Sequence, residues 1–125
     1  MSFIFTILLM IFGYIIADYC LQGILASMKQ KEWWTKQESY NDKYKYDYIA
    51  ALFMHSFCWA FCIMLPIAII CSFQIGLYFL GIFILNTFCH MLIDHFKAND
   101  KSINLVKDQF LHFVQIFFTS LMFFI

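Results

Sequence analysis

IGLYFLGIFILNTFCHMLIDHF (Ile75 to Phe96), KANDKSIN (Lys97 to Asn104) and LVKDQFLHFVQIFFTSLMFFI (Leu105 to Ile125) decide the fold of this chain. Each outer run is apolar over a length that, at ~1.5 Å per helical residue, matches a hydrocarbon core of ~30 Å. The polar stretch between them leaves room for a loop and little else. The pattern predicts two membrane-spanning helices folded back on each other. Their polar residues mirror one another: His90 and Asp94 close the first run four residues apart, and Asp108 and His112 open the second with the same spacing. Residues four apart share one helix face. Folding the hairpin therefore brings His90 level with His112, and Asp94 level with Asp108 nearer the water.

Working back toward the N-terminus, Ile49 to Cys71 is another apolar run, joined to the hairpin by a tight turn around Ser72-Phe73-Gln74. Pro66 falls inside it, where it should kink the helix and free a carbonyl for a neighbour to satisfy. Phe3 to about Leu25 is the remaining run. No basic residue precedes it and no small-x-small cleavage site follows, so it reads as a retained helix rather than a signal peptide. Lys29 to Asp47, KQKEWWTKQESYNDKYKYD, is polar and laced with the aromatic types that sit at headgroup level. Either a short interfacial helix or a solvated loop with an aromatic belt suits it. The expectation is thus an all-α membrane protein: one domain, a four-helix transmembrane bundle of up-down topology. Its helices lie at about 3–25, 49–71, 75–96 and 105–125, with an interfacial segment between the first two.

Composition supports that class. Of 125 residues, 63% are hydrophobic and only 13% charged, too little polar surface for a soluble domain of this length. The net charge of zero leaves no basic patch for nucleic acid. Cys20, Cys58, Cys62 and Cys89 lie within apolar runs, and an odd total of five gives no disulfide framework and leaves the redox compartment open. All eight basic residues are Lys, and all lie in or beside the first and third loops of the expected bundle. The excess of positive charge on cytoplasmic loops then places those loops inside, and both termini outside, a cell's inner membrane.

Ionisable side chains within a span cost roughly 2.5–3.5 kcal/mol each on insertion scales, so each needs a partner or a role. Here they gather at one depth: Asp18 and Gln22 late in the first helix, His55 early in the second, His90 and Asp94 late in the third, and Asp108 and His112 early in the fourth. Asn86 and Gln115 extend the stripes inward. Three carboxylates in low dielectric need protons, cationic side chains or a divalent ion. Lys97 and Lys107 are placed to neutralise Asp94 and Asp108. His and carboxylate side chains four apart on several helices also match the way bundles build metal sites. An interhelical hydrogen-bond network that only locks the bundle is the competing reading. Cys58 and Cys62 share a face with His55, where packing is the simpler role. His95 points away around its helix, and no serine-nucleophile or phosphate-loop motif is present.

The motifs D-Y-C-L-Q (Asp18 to Gln22), H-S (His55-Ser56), H-M-L-I-D-H-F-K (His90 to Lys97) and D-Q-F-L-H (Asp108 to His112) resemble those of a family of small bacterial and phage integral membrane proteins of uncharacterised function. The resemblance covers nearly the whole chain, with Trp33 or Trp34 in the place of the Trp that follows the first motif. The stretch from Glu32 to Asp47 is a departure. The resemblance implies the fold and the polar constellation but no reaction. A looser likeness joins the motifs to membrane-bound metal-dependent hydrolases, which also cluster His and Asp at helix ends. The reading that follows is a membrane-embedded, metal-dependent hydrolase of the cytoplasmic leaflet. Zinc, manganese or iron would be held by His55, His90, Asp94, Asp108 and His112. Asp18 would complete that shell or act as general base on a water acidified by the ion. Gln22 and Gln109 would orient groups. Lys29, Lys97, Lys101 and Lys107 would draw a lipid headgroup or other anionic substrate. A proton- or cation-coupled transporter or channel, acting as a homo-oligomer, is the alternative. A non-catalytic membrane protein that binds a partner is the third.

Overall fold

The computed structural model describes residues 2–125 and is helical throughout, with no strand among them. The first helix, α1, runs from Phe3 to Ile15, its first turn capped by the Ser2 hydroxyl, which accepts from the Phe5 amide at 3.3 Å. It passes without a break into a π-helical turn, Ile16–Cys20. The short helices α2 (Leu25–Met28) and α3 (Lys31–Thr35) and a 3₁₀ turn (Asp42–Tyr44) follow. The long helices α4 (Asp47–Ile70), α5 (Leu77–Ala98) and α6 (Leu105–Phe124) complete the chain.

The first helix ends at Cys20, short of the expected Leu25. The π turn inserts one residue, closed by the Leu21 amide on the Ile16 carbonyl at 2.9 Å, and Gly23 then takes φ 51°. That left-handed conformation suits a residue without a Cβ and turns the chain out of the helix axis. The other long helices lie within two residues of their expected ends. α5 starts at Leu77 because Gly76 is extended, with ψ near 178°. α6 starts where expected, the Asn104 side chain accepting from the Lys107 amide at 2.9 Å.

The four long helices form a closed square in which α1 packs on α4 and α6, and α5 packs on α4 and α6. Neighbours run antiparallel. Phe3 at the start of α1 meets Phe124 at the end of α6, and the Tyr78 hydroxyl at the start of α5 donates to the Met122 carbonyl of α6. The shared core draws on every side of the square: Met10 and Tyr14, Trp59 and Ile63, Phe79 and Ile82, and Ile116.

Pro66 sits buried inside α4. It has no N–H for the carbonyl of Cys62, four residues back. Gly13 of α1 lies against that carbonyl so closely that a Cβ there would collide with its oxygen and stand 2.9 Å from its carbon. A glycine Cα–H facing an under-used carbonyl is a weak hydrogen bond, and small residues at helix contacts are the usual means of close approach in membranes. This is the neighbour that the proline requires.

Outside the square, Phe5, Leu8, Phe12, Phe53, Phe57, Phe61, Ile84, Phe88, Phe113 and Phe117 are all exposed. A band of that size cannot face water. Three helices are long and apolar enough to cross a membrane: Phe3–Cys20, the helix ending at Ile70, and Leu77–Ala98. α6 is of similar length, but its first turns carry Lys107, Asp108, Gln109 and His112, and it is not one of those three.

The connection between α1 and α4 is neither one interfacial helix nor a free loop. It folds over one end of the square and is tied to the end of α5 by Asn99. That side chain accepts from the Lys31 amide at 2.7 Å and donates to the Lys29 carbonyl at 3.0 Å. Trp34 Nε1 donates to the Met28 carbonyl at 2.7 Å, and Lys31 lies over the Tyr48 ring. Lys36 and Lys101 flank Glu32 and hold its carboxyl below the usual range.

Candidate metal centre

Each long helix delivers its polar residues to the end of the square beneath this strap. The π turn carries Asp18, whose side chain is 11% exposed. α4 carries His55, α5 carries His90 and Asp94, and α6 carries Asp108 and His112, all buried. The i, i+4 spacing predicts shared faces, and the faces meet. π turns recur at functional sites because the extra residue re-aims a side chain.

The Nε2 atoms of the three histidines point into one space. His55 Nε2 lies 3.2 Å from His90 Nε2, 3.2 Å from Asp18 Oδ1 and 3.3 Å from Asp94 Oδ2. His90 Nε2 is 3.7 Å from Asp94 Oδ2 and 3.9 Å from Asp18 Oδ1. His112 Nε2 is 3.8 Å from Asp94 Oδ1, 3.9 Å from Asp18 Oδ2 and 3.3 Å from Asp108 Oδ1. Two overlapping triads could each hold a metal ion, Asp18–His55–His90 and His90–Asp94–His112, with His90 common to both.

These donors fit a divalent cation. Ligand atoms ~2.0–2.1 Å from a tetrahedral ion stand about 3.3 Å apart, inside the observed spread. Asp18 Oδ1, Asp108 Oδ1 and His112 Nε2 are buried and make no hydrogen bond. Leaving buried polar atoms unpaired is expensive, and a cation beside Asp18 and His112, one from each triad, would offset that cost. Mixed imidazole and carboxylate donors suit zinc, manganese and iron.

Two lysines reach the carboxylates from the rim. Lys29 Nζ is 2.6 Å from Asp94 Oδ2, and Lys97 Nζ is 2.7 Å from Asp108 Oδ2. The pairing corrects the expectation for Lys107. That residue is exposed and makes no ion pair among the described residues, and Asp94 takes its cation from the first connection instead. Asp94 and Asp108 are themselves buried, and of the two Asp94 lines the cleft at that end. Three carboxylates against two lysines leave one negative charge beside three imidazoles.

Gln109 and Gln22 part company. Gln109 Nε2 donates to Asp108 Oδ2 at 2.9 Å while its Oε1 accepts from the Tyr19 hydroxyl at 3.1 Å, so it orients Asp108. Gln22 Nε2 donates to the Asp18 backbone carbonyl at 2.8 Å and so braces the π turn rather than facing the cluster. Cys58 is exposed and Cys62 half-buried, and neither joins the metal-capable groups. His95 stacks on Tyr48 and lies 3.4 Å from Asp100, outside the cluster. Asn86 and Gln115 do meet: Gln115 Nε2 donates to Asn86 Oδ1 at 2.8 Å, and the Thr119 hydroxyl donates to the same oxygen at 2.9 Å.

The aromatic floor of the cluster is not apparent from the motifs. Trp59 stacks on His90 with ring centroids 4.2 Å apart and planes at 17°, and Tyr14 lies 5.7 Å from His112. A signal is nonetheless present in the chain, because Trp59 follows His55 by four residues and Tyr14 precedes Asp18 by four.

Beside the cluster a cleft of about 460 Å³ opens at the strap end, lined by Gln22, Lys29, Gln30, Asp94, Lys97 and Lys101 among others. Asp94 is therefore a wall of the cleft and a member of the cluster at once. Comparison with protein-family models, curated proteins and solved structures gives no match.

Proposed function

We propose that the chain is a membrane-embedded, metal-dependent hydrolase acting on a membrane-proximal, anionic or phosphorylated substrate. The observation that carries the reading is the convergence of three histidine Nε2 atoms and three aspartates, in charge deficit and with unpaired buried atoms, beside a lysine-lined cleft. All four long helices would span the bilayer. The lysines on the first and third connections would place those connections in the cytoplasm and both termini outside, in a cell's inner membrane. Membership in the family that the motifs resemble belongs to the same proposal.

A bound divalent cation would supply an acidified water and charge for a developing oxyanion. His55, His90, His112 and Asp94 would hold it, and zinc, manganese and iron all suit that set. Asp18 keeps one oxygen free of hydrogen bonds and would take the proton as the water oxygen forms its bond to the substrate centre. Asp18 would then return that proton to the departing oxygen, so atoms and charge would balance. Asp108, fixed by Lys97 and Gln109, presents Oδ1 to the same His112 Nε2 at 3.3 Å and would add its negative charge to the ion's surroundings from that side. Lys29, Lys97 and Lys101 would orient the substrate in the cleft.

A transport role would need the polar stripe to continue across the bundle. Past Asn86, Gln115 and Thr119 the core holds Met10, Ile63, Ile67, Ile82, Phe79 and Ile116, and the buried hydroxyls of Thr6 and Ser120 there are spent on carbonyls of their own chain segments, which favours the enzyme. Elemental analysis of the detergent-purified protein tests the reading. A stoichiometric divalent metal that disappears in His90→Phe supports it, and a metal-free wild type that cannot be loaded removes it.

A further inference from the structure

Each of the two lysines on the cluster is engaged twice over, once by a carboxylate and once by the cleft. Lys29 and Lys97 contact Asp94 and Asp108 at 2.6 and 2.7 Å, yet both side chains also line the cleft with Lys101. Among the described residues Lys101 pairs only with the exposed Glu32, at 3.3 Å. A divalent cation on His90, Asp94 and His112 draws on the carboxylate that now holds Lys29. It also changes the charge count. Asp18, Asp94 and Asp108 against Lys29 and Lys97 give one negative charge, and a dication turns this into one positive charge. The lysine ammonium groups then lack full compensation, at the end of a flexible stem that can swing toward the cleft.

We infer that metal loading arms this cleft as a binding site for a phosphoryl oxyanion, so that cation and anion bind with positive cooperativity. The inference rests on the metal reading above, narrows its substrate to a phosphoryl group and adds the coupling between cation and anion. Three ammonium point charges around one concavity suit a phosphate, for which lysine is a common partner. Gln22 and Gln30 on the same wall each spend one amide hydrogen on a backbone carbonyl, of Asp18 and Ala26, and keep a second to donate. Before the cation arrives, Asp94 repels an anion from the wall it forms. Afterwards its charge is neutralised by the ion, and the cleft turns electropositive. The phosphoryl group could belong to a lipid headgroup or to a soluble ester, and the chemistry is common to both.

The test is the affinity for Mn²⁺ of the full chain in nanodiscs of neutral phosphatidylcholine, measured alone, with inorganic phosphate added, and with phosphatidate in the bilayer. Coupling is reciprocal, so an anion that prefers the loaded protein must tighten Mn²⁺ binding. The expected gain is about tenfold, within the usual range of coupling between sites. A gain with phosphatidate alone assigns the site to a lipid headgroup, and a gain with phosphate as well assigns it to the phosphoryl group from either source. Phosphatidate also concentrates Mn²⁺ at the bilayer surface, an effect that a substitution in the cleft leaves intact. Lys101→Gln, at a side chain that pairs with none of the three aspartates, should therefore keep Mn²⁺ affinity in phosphatidylcholine and lose most of the gain. Lys97→Gln should lose it too. Mn²⁺ binding that neither anion improves, or a gain unchanged in Lys101→Gln, overturns the inference and leaves the metal reading standing. Absence of any Mn²⁺ binding overturns both.

Discussion

His55 and His90 face each other nitrogen to nitrogen, Nε2 to Nε2 at 3.2 Å, across the contact between α4 and α5. Both atoms cannot carry a hydrogen at that distance. One must accept, or both must serve a third party that carries positive charge. Asp18 and Asp94 both stand beside the pair, 3.2 and 3.3 Å from His55, which makes a positive charge there favourable. A cation with ligands from three helices would bind the folded chain and have no equal site in the unfolded one.

Chelation should therefore destabilise the protein. Binding confined to the folded state adds RT ln(1 + [L]/Kd), about 2.7 kcal/mol at a hundredfold excess over Kd. Thermal melts in detergent, with metal and with EDTA, should differ by several degrees. Identical melts would leave only a hydrogen-bond network or a proton relay.

His90→Phe separates ligand from glue. Phenyl keeps the stack on Trp59 and removes the nitrogen that both triads share. If the cluster is a metal site, metal content falls to background and the chelator no longer shifts the melt. If it is glue, an apolar ring in place of a buried imidazole is nearly neutral.

Asp94→Asn and Asp108→Asn should differ in degree. Asp94 belongs to a metal-capable triad, whereas Asp108 spends one oxygen on Lys97 and Gln109 and faces His112 with the other. Loss of Asp94 should abolish metal binding, while loss of Asp108, outside both triads but 3.3 Å from the same His112 nitrogen, should weaken it by about 10- to 100-fold, as for groups just outside a ligand set. Equal losses in metal titrations would put Asp108 in direct contact with the ion.

Gly13→Ala should destabilise the α1–α4 contact by about 1–3 kcal/mol, because the new methyl meets the Cys62 carbonyl and backbone must move. Gly81→Ala, where a Cβ meets nothing within 4 Å, is the control and should melt like the wild type. If both variants melt alike, the close approach contributes nothing.

Topology has its own measurement. On a cysteine-free background, a cysteine at position 40 should be protected from an impermeant reagent outside the cell and one at position 73 should react. The reverse pattern would invert the orientation read from the lysines.

Much of this protein is legible in the chain alone, and the reason is that helical periodicity is local. Apolar runs locate the long helices to within a few residues, and four-residue spacing places His90 with Asp94 and Asp108 with His112 on shared faces, whatever else the chain does. Three features needed the folded molecule. Asp18 is aimed by a π turn that no apolar pattern marks, because one inserted residue leaves the hydrophobic run intact. The cation on Asp94 comes from Lys29, 65 positions away, rather than from a lysine near it in sequence. Such a pairing depends on where the strap lands, and Asn99 fixes that by two hydrogen bonds across the square. Gly13 and Pro66 carry ordinary local meanings, yet their pairing through the Cys62 carbonyl exists only once α1 lies on α4. Periodicity sets which face each residue occupies. Which faces meet, and which charge answers which, is set by helix ends and close approaches that lie far apart along the chain.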